Sequence, residues 1–268
     1  MEVHHHAHNP GKKWTHYLWE FLMLFLAVFC GFLAEYQLEH TIEKQREKQY
    51  ARELYDELFA DSLAVADKIK LRLEKEKDMD YLSGYLKDSS LTSLPRKFYP
   101  AYTTVLYLAN TYSFEPKDGI LSQLKSSGSL RYFKNPTLQK LFGDISVSIN
   151  NVRYRNEQEY QFFASPIKPF MLKYYDFNWM NELRKQDENE TAINLVNRYR
   201  KSDIIIPASI LNLTSFDRGD ATNMIAFYKQ MMVSTRTLQM NDYIKANNKL
   251  LQELRRNYNL SEKTPLEK

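Results

Sequence analysis

The rhythm of apolar and polar positions changes abruptly near the start of the chain. Residues 17–38 read YLWEFLMLFLAVFCGFLAEYQL, with an unbroken apolar run over 21–34. At a 1.5 Å rise per residue the stretch reaches roughly 33 Å, against about 30 Å of bilayer hydrocarbon. Trp14, Tyr17 and Trp19 stand at one end and Tyr36 at the other, where amphipathic rings favour headgroups. Glu20 and Glu35 lie near the ends, within reach of an interface. The apolar run alone would also suit a signal-peptide core or a buried helix of a soluble fold. The absence of a small-x-small cleavage site before a polar start, the terminal aromatics and the lack of proline point to a retained transmembrane helix.

Beyond residue 38 the pattern becomes helical and mixed. Residues 39–77 contain neither Gly nor Pro and are dominated by good helix formers. Leu54, Leu58, Val65, Ile69 and Leu73 recur near helical spacing and predict an apolar stripe from residue 54 onward. The simplest path is a stalk helix that enters a folded domain, followed by a short helix over 78–86. Pro100 fits the first turn of a helix running to about 111, and Asp118 fits the cap of a short helix closed by Gly128. Asn135-Pro136 reads as cap and first-turn proline of a long helix reaching about 164, and Pro166 and Pro169 break or kink the chain after it. Helices then alternate with polar loops, and Asp217 opens the last pair, near 220–235 and 237–257. Asp203-Ile204-Ile205-Ile206-Pro207 is the strand-like run, and one run makes no sheet, so a buried extended connector is expected. The predicted fold is all-α: a tail (1–16), a transmembrane helix (17–38), a stalk or first domain helix (39–77), a helical bundle domain (78–260) and a frayed end (261–268).

Within the span, Glu20, Leu24, Ala27, Gly31 and Ala34 share one side at 100° per residue. Ala27 and Gly31 form a small-x-x-x-small pair that lets helix backbones approach closely in lipid. The expected partners are membrane lipid and, through this face, a second copy or another membrane protein; small residues are also common in spans that associate with nothing. In the tail, His4, His5, His6 and His8 invite a metal, since neutral imidazoles bind Zn, Ni or Cu. The flexible Asn9-Pro10-Gly11 next to them instead favours a merely polar tail.

Charge and composition narrow the functions. Residues 1–38 carry two Lys against three Glu, a net of −1, so with +4 for the whole chain the remainder carries +5. Acidic and basic residues interleave there without a dense basic patch, which argues against nucleic acid. The lone Cys30 lies within the span and can form no disulfide in this chain. No phosphate-binding Gly-Lys-Ser/Thr loop, Rossmann glycine pattern or HExxH occurs, and no cofactor is expected. Ser126, Ser127 and Gly128 could be read as a nucleophile or an anion nest. No His occurs after His40, so no imidazole of the domain could activate a serine, and a helix end closed by glycine is the simpler reading.

Phe114-Glu115, then Leu124-Lys125-Ser126-Ser127-Gly128-Ser129-Leu130, then Asn135 and Leu138, resemble a family of uncharacterised bacterial single-pass membrane proteins. Those proteins have a short tail, a span entered through a Glu (here Glu20), a charged helix and a helical domain carrying this segment. The resemblance covers roughly residues 15–145. It implies an inner-membrane protein with the tail in the cytoplasm and the domain in the periplasm, and it implies no activity. This chain departs in its tail, which is His-rich where the family's is strongly basic. The lysines and arginines after the span (Lys44, Arg46, Lys48, Arg52) outnumber Lys12 and Lys13 before it, which counted alone favours the opposite orientation, but Glu35, Glu39, Glu43 and Glu47 dilute that cluster, so charge does not settle it. The functional expectation is a non-enzymatic scaffold or interaction module at the membrane. The alternative is a sensory module with a small ligand in the helical domain. An aromatic-lined pocket with convergent polar groups would favour the sensor, and a packed bundle with an exposed apolar patch would favour the scaffold.

Overall fold

The computed structural model describes residues 14–261, and for Ala109 and Asn110 the backbone alone. No strand occurs among the described residues, and the fold is all-α. Contacts divide the chain into two units, residues 1–50 and 51–268. One helix, α1 (Trp14–Asp88), begins in the first and ends in the second. The stretch expected as a separate short helix at 78–86 is the last part of α1.

In the first unit, α1 carries a window long and apolar enough to cross a membrane, with mean hydropathy 2.0 and none of it buried. Phe21, Phe25 and Phe29 stack in a ladder with ring centroids 6.4 and 6.0 Å apart, as four-residue spacing allows.

In the second unit, α1 forms one side of the core. Its inward positions are 51, 54, 58, 61, 65, 68, 72, 75, 79, 82 and 86, alternating steps of three and four. Position 68 is half-buried and the others are buried. This corrects the expected stripe. Ile69 is half-buried and Leu73 is 40% exposed, while Arg72 and Lys75 are completely buried.

The remaining helices follow in chain order. Helix α2 (Phe98–Tyr102) continues into a π-helical turn (Thr103–Tyr107) and a 3-10 turn (Ala109–Tyr112). Helix α3 (Gly119–Ser126) is followed by a 3-10 turn (Ser129–Tyr132). Helix α4 (Pro136–Phe162) does not break at Pro166: the chain passes through a π-helical turn (Phe163–Ile167) straight into α5 (Lys168–Tyr174). The wider turn accommodates the proline, which has no N–H to give. Then come α6 (Phe177–Arg184), α7 (Ala192–Lys201) and α8 (Arg218–Ser234), which joins α9 (Asn241–Tyr258) through a third π-helical turn (Thr235–Met240). Helix α4 packs along α9 and also touches α8.

Tyr175 and Trp179 are buried in the core with Tyr99, Tyr102 and Tyr199, in stacked, tilted and edge-on pairs 5.2–5.8 Å apart. Tyr160 of α4 is exposed. The 203–207 connector has no regular secondary structure, and Ile204 and Ile205 face solvent, which corrects the buried expectation. It is held from outside by Arg96, whose Nε donates to the Ile204 carbonyl at 3.0 Å.

Candidate functional site

Four of the inward positions of α1 are polar, and each finds a partner on a different part of the domain. Asp61 accepts from the Lys117 backbone N–H at 2.7 Å and from the Tyr243 hydroxyl at 2.8 Å. Lys68 donates to the Thr111 carbonyl at 2.6 Å. Arg72 bonds Glu159 of α4 and donates to the Tyr112 carbonyl at 3.1 Å. Lys75 donates to the Tyr228 hydroxyl at 3.2 Å and lies over the rings of Tyr112 and Tyr228, 4.5 and 4.7 Å from their centroids. The cations thus reach carbonyls and a ring at the C-terminal end of the α2 segment, where helix carbonyls lack partners of their own. Burial pushes the Asp61 carboxyl up, against the hydrogen bonds from Tyr243 and Lys117. Burial, and then the neighbouring Arg72, bring Lys75 down from 10.5 to about 7.

Beside this seam α1 makes two further ion pairs. Glu76 takes a two-pronged bond from Arg236, 2.8 Å on each arm. Asp78 takes another from Arg200, at 3.1 and 2.6 Å, and Arg200 also donates to Thr104 Oγ1 at 2.9 Å. The Asp78–Arg200 pair borders a cleft of about 360 Å³ whose lining includes Glu74, Lys77, Lys97, Tyr112 and Asn197. Its lining carries both signs of charge. A second, more open groove of about 850 Å³ runs between α4 and α8. It is lined by Tyr154, Phe162, Phe227 and Met231, with Arg155 and Glu157 alongside. Tyr154 and Phe227 are 68% and 54% exposed.

The residues singled out from sequence fall in three places. Leu24, Ala27, Gly31 and Ala34 lie exposed on the membrane-type segment of α1. Glu20, on the same segment, is 3.3 Å from His16 one turn before it. His4, His5, His6 and His8 lie outside the described residues. Among the described residues, no group of three or more His, Cys, Asp or Glu could hold a metal ion.

Ser126, Ser127, Gly128 and Asn135 are brought into one structural corner. Ser126 and Ser127 both donate to the Gln123 carbonyl, at 3.2 and 2.7 Å, and so close the last turn of α3. Gly128 turns the chain at φ +69°, the left-handed region where glycine has no steric cost. Asn135 accepts the Thr137 N–H at 2.8 Å, capping α4, and its amide donates to Glu253 and Asn257 of α9. The start of α3 is built differently from the expectation. Asp118 occupies the cap position, but its carboxylate is turned to Arg153, at 2.8 and 3.0 Å. The open N–H of Ile120 is met instead by Glu57, at 3.3 and 3.4 Å from its two oxygens. The hydrogen bonds from Arg153 hold the Asp118 carboxyl below its usual range, and burial raises that of Glu57.

Apolar periodicity alone misses Arg72, Lys75 and the Asp78–Arg200 pair, because it places charged residues on the solvent side of a helix. The seven-residue spacing of Ala51, Leu58, Val65, Met79 and Leu86 was the signal that position 72 is inward. The chain matches no protein-family model, no curated protein and no solved structure.

Proposed function

We propose that the protein is a single-pass, membrane-anchored interaction module without catalytic activity, its helical domain held at the membrane surface by the start of α1. The observation that carries this reading is the contrast between the two units. The apolar window of α1 is wholly exposed, whereas the domain beyond residue 51 buries an apolar core of its own. Exposed apolar surface of that length is stable only against lipid or another apolar helix. The face carrying Ala27 and Gly31 supports assembly with a second copy. The open groove between α4 and α8 supports the same partner, because Tyr154 and Phe227 stand exposed in it as apolar surface a second copy could cover. By the family resemblance, the protein resides in a bacterial inner membrane with the domain in the periplasm.

Protease protection of a C-terminal epitope in spheroplasts tests the topology: digestion from the periplasmic face is expected, and protection there would reverse it. Energy transfer between labelled copies in liposomes tests assembly. Loss of transfer is expected for Gly31→Leu, and transfer unchanged in both Gly31→Leu and Phe227→Ser would overturn it. One observation favours the sensory alternative: α1 itself supplies Glu74, Lys77 and Asp78 to the mixed-charge cleft, so a ligand there would contact the same helix that carries the span.

A further inference from the structure

The corner that holds the Ser-Ser-Gly turn also holds a cleft for which neither assembly nor anchoring has a use. About 450 Å³ in volume, it lies between the end of α3 and the second and third turns of α4. That volume is in the range of small-molecule sites, roughly 300–1,000 Å³. Its lining is Lys125, Leu130, Arg131, Gln139, Phe142, Gly143 and Ser146, mostly carbon in the surface it presents. Gly128 shapes it: the left-handed turn there lets the following 3-10 segment bring Leu130 and Arg131 across from α4.

Two features of this cleft point to a ligand. Gly143 stands inside α4, where glycine is the least favourable residue after proline. No internal packing demands it, since a Cβ built there meets nothing within 4 Å. What the missing side chain does is leave bare backbone at the wall of an apolar cleft. The second feature is charge: the lining includes two cations, Lys125 and Arg131, and no carboxylate. Lys125 is already oriented, its ammonium donating to Ser146 Oγ at 2.6 Å.

We propose that this cleft binds an anionic single-chain amphiphile. Its alkyl chain lies on Leu130, Phe142 and the backbone at Gly143, and its carboxylate or phosphate head pairs with Lys125 and Arg131. Arginine's planar fork matches the two oxygens of either head, and lysine adds a point charge. The site is independent of the assembly reading, because none of its residues belongs to the span or to the α4–α8 groove.

The test uses the full chain in phosphatidylcholine nanodiscs and a decanoate bearing a photoreactive diazirine at its tail, with adducts mapped by mass spectrometry. Adducts are expected within residues 125–146. Free decanoate should displace them, and octanoate, two methylenes shorter, should do so up to roughly fifteenfold less well, since each methylene buried is worth roughly fourfold in affinity. Decyltrimethylammonium, of opposite charge, should not displace them. Decyl phosphate run beside decanoate identifies the preferred head. Gly143→Leu should cut labelling at least tenfold while raising the melting temperature, because it fills the cleft and improves the helix. Lys125→Gln with Arg131→Gln, a surface change that leaves the fold intact, should cut it similarly. Labelling that persists in both variants, or that the cationic amphiphile displaces equally, would overturn the assignment.

Discussion

Lys75 donates to the neutral hydroxyl of Tyr228 at 3.2 Å, while the carboxylate of Glu159 is bonded to Arg72. The buried seam therefore holds two adjacent cations and gives the anion to one of them. A lysine in that position is held by rings and a hydroxyl, and it is the group most easily discharged.

Lys75 makes stability depend on pH in a calculable direction. Its pKa is about 7 in the fold, against 10.5 when exposed. Between those values the unfolded chain binds more protons than the folded one, so this group makes stability rise with pH from about 7 to 10. Below pH 7 the full cost of the buried charge is present. Lys75→Met should be more stable than the parent at pH 6, by about 3 kcal/mol, with the difference shrinking toward pH 10. Urea unfolding of both chains at pH 6, 8 and 9.5 checks this; parallel pH curves would refute it.

Breaking the Arg72–Glu159 pair from one side should be costly. Arg72→Met leaves Glu159 buried with the Thr235 hydroxyl and the Lys75 charge, and about 3–5 kcal/mol should be lost. Glu159→Gln strands Arg72 instead. The double change Arg72→Met with Glu159→Leu should cost clearly less than the two single losses added together. A double-mutant cycle read by denaturant unfolding measures the coupling.

Two glycines should respond in opposite senses to the same substitution. Gly128→Ala must hold φ +69° with a Cβ and should lose about 1 kcal/mol. Gly84 is inside α1 with nothing within 4 Å of a built Cβ, so Gly84→Ala should gain up to about 1 kcal/mol. Melting temperatures of the two variants, shifted to opposite sides of the parent, are the expected result.

Asn135 joins the start of α4 to the end of α9. Asn135→Ala removes the cap of α4 and the bonds to Glu253 and Asn257 together, and should cost about 1–2 kcal/mol. Asn135→Asp keeps the cap but brings a carboxylate against Glu253, so it should also destabilise. Hydrogen exchange should rise in the first turn of α4 for the alanine variant, and in the last turns of α9 for both.

How far the sequence could be read depends on how local the controlling physics is. The caps at Asn135 and Asp217, the left-handed Gly128 and the apolar window depend on a few neighbouring residues, and the structure has them where the residues indicate. The core face of α1 is a tertiary property. Asp61, Lys68, Arg72 and Lys75 are inward only because a hydroxyl, carbonyls and a carboxylate from distant segments meet them, and apolar periodicity alone turns the stripe toward Leu73. Asp118 shows the same limit, since Arg153 takes its carboxylate and Glu57, far away in the sequence, supplies the acceptor. Ile204 and Ile205 are exposed because Arg96 anchors that connector through its backbone, which leaves their side chains outside.

The polar seam also governs when the domain can close. Asp61 waits for a tyrosine 182 residues further along, and Arg72 for a glutamate 87 residues away. Until those arrive, α1 offers a face of unsatisfied charge among leucines, too polar to stay in lipid and too apolar to stay in water. Closure of the domain therefore depends on its last helix, through long-range contacts of the kind that slow folding. A chain truncated before residue 243 should lack that closure and be an easy target for proteolysis.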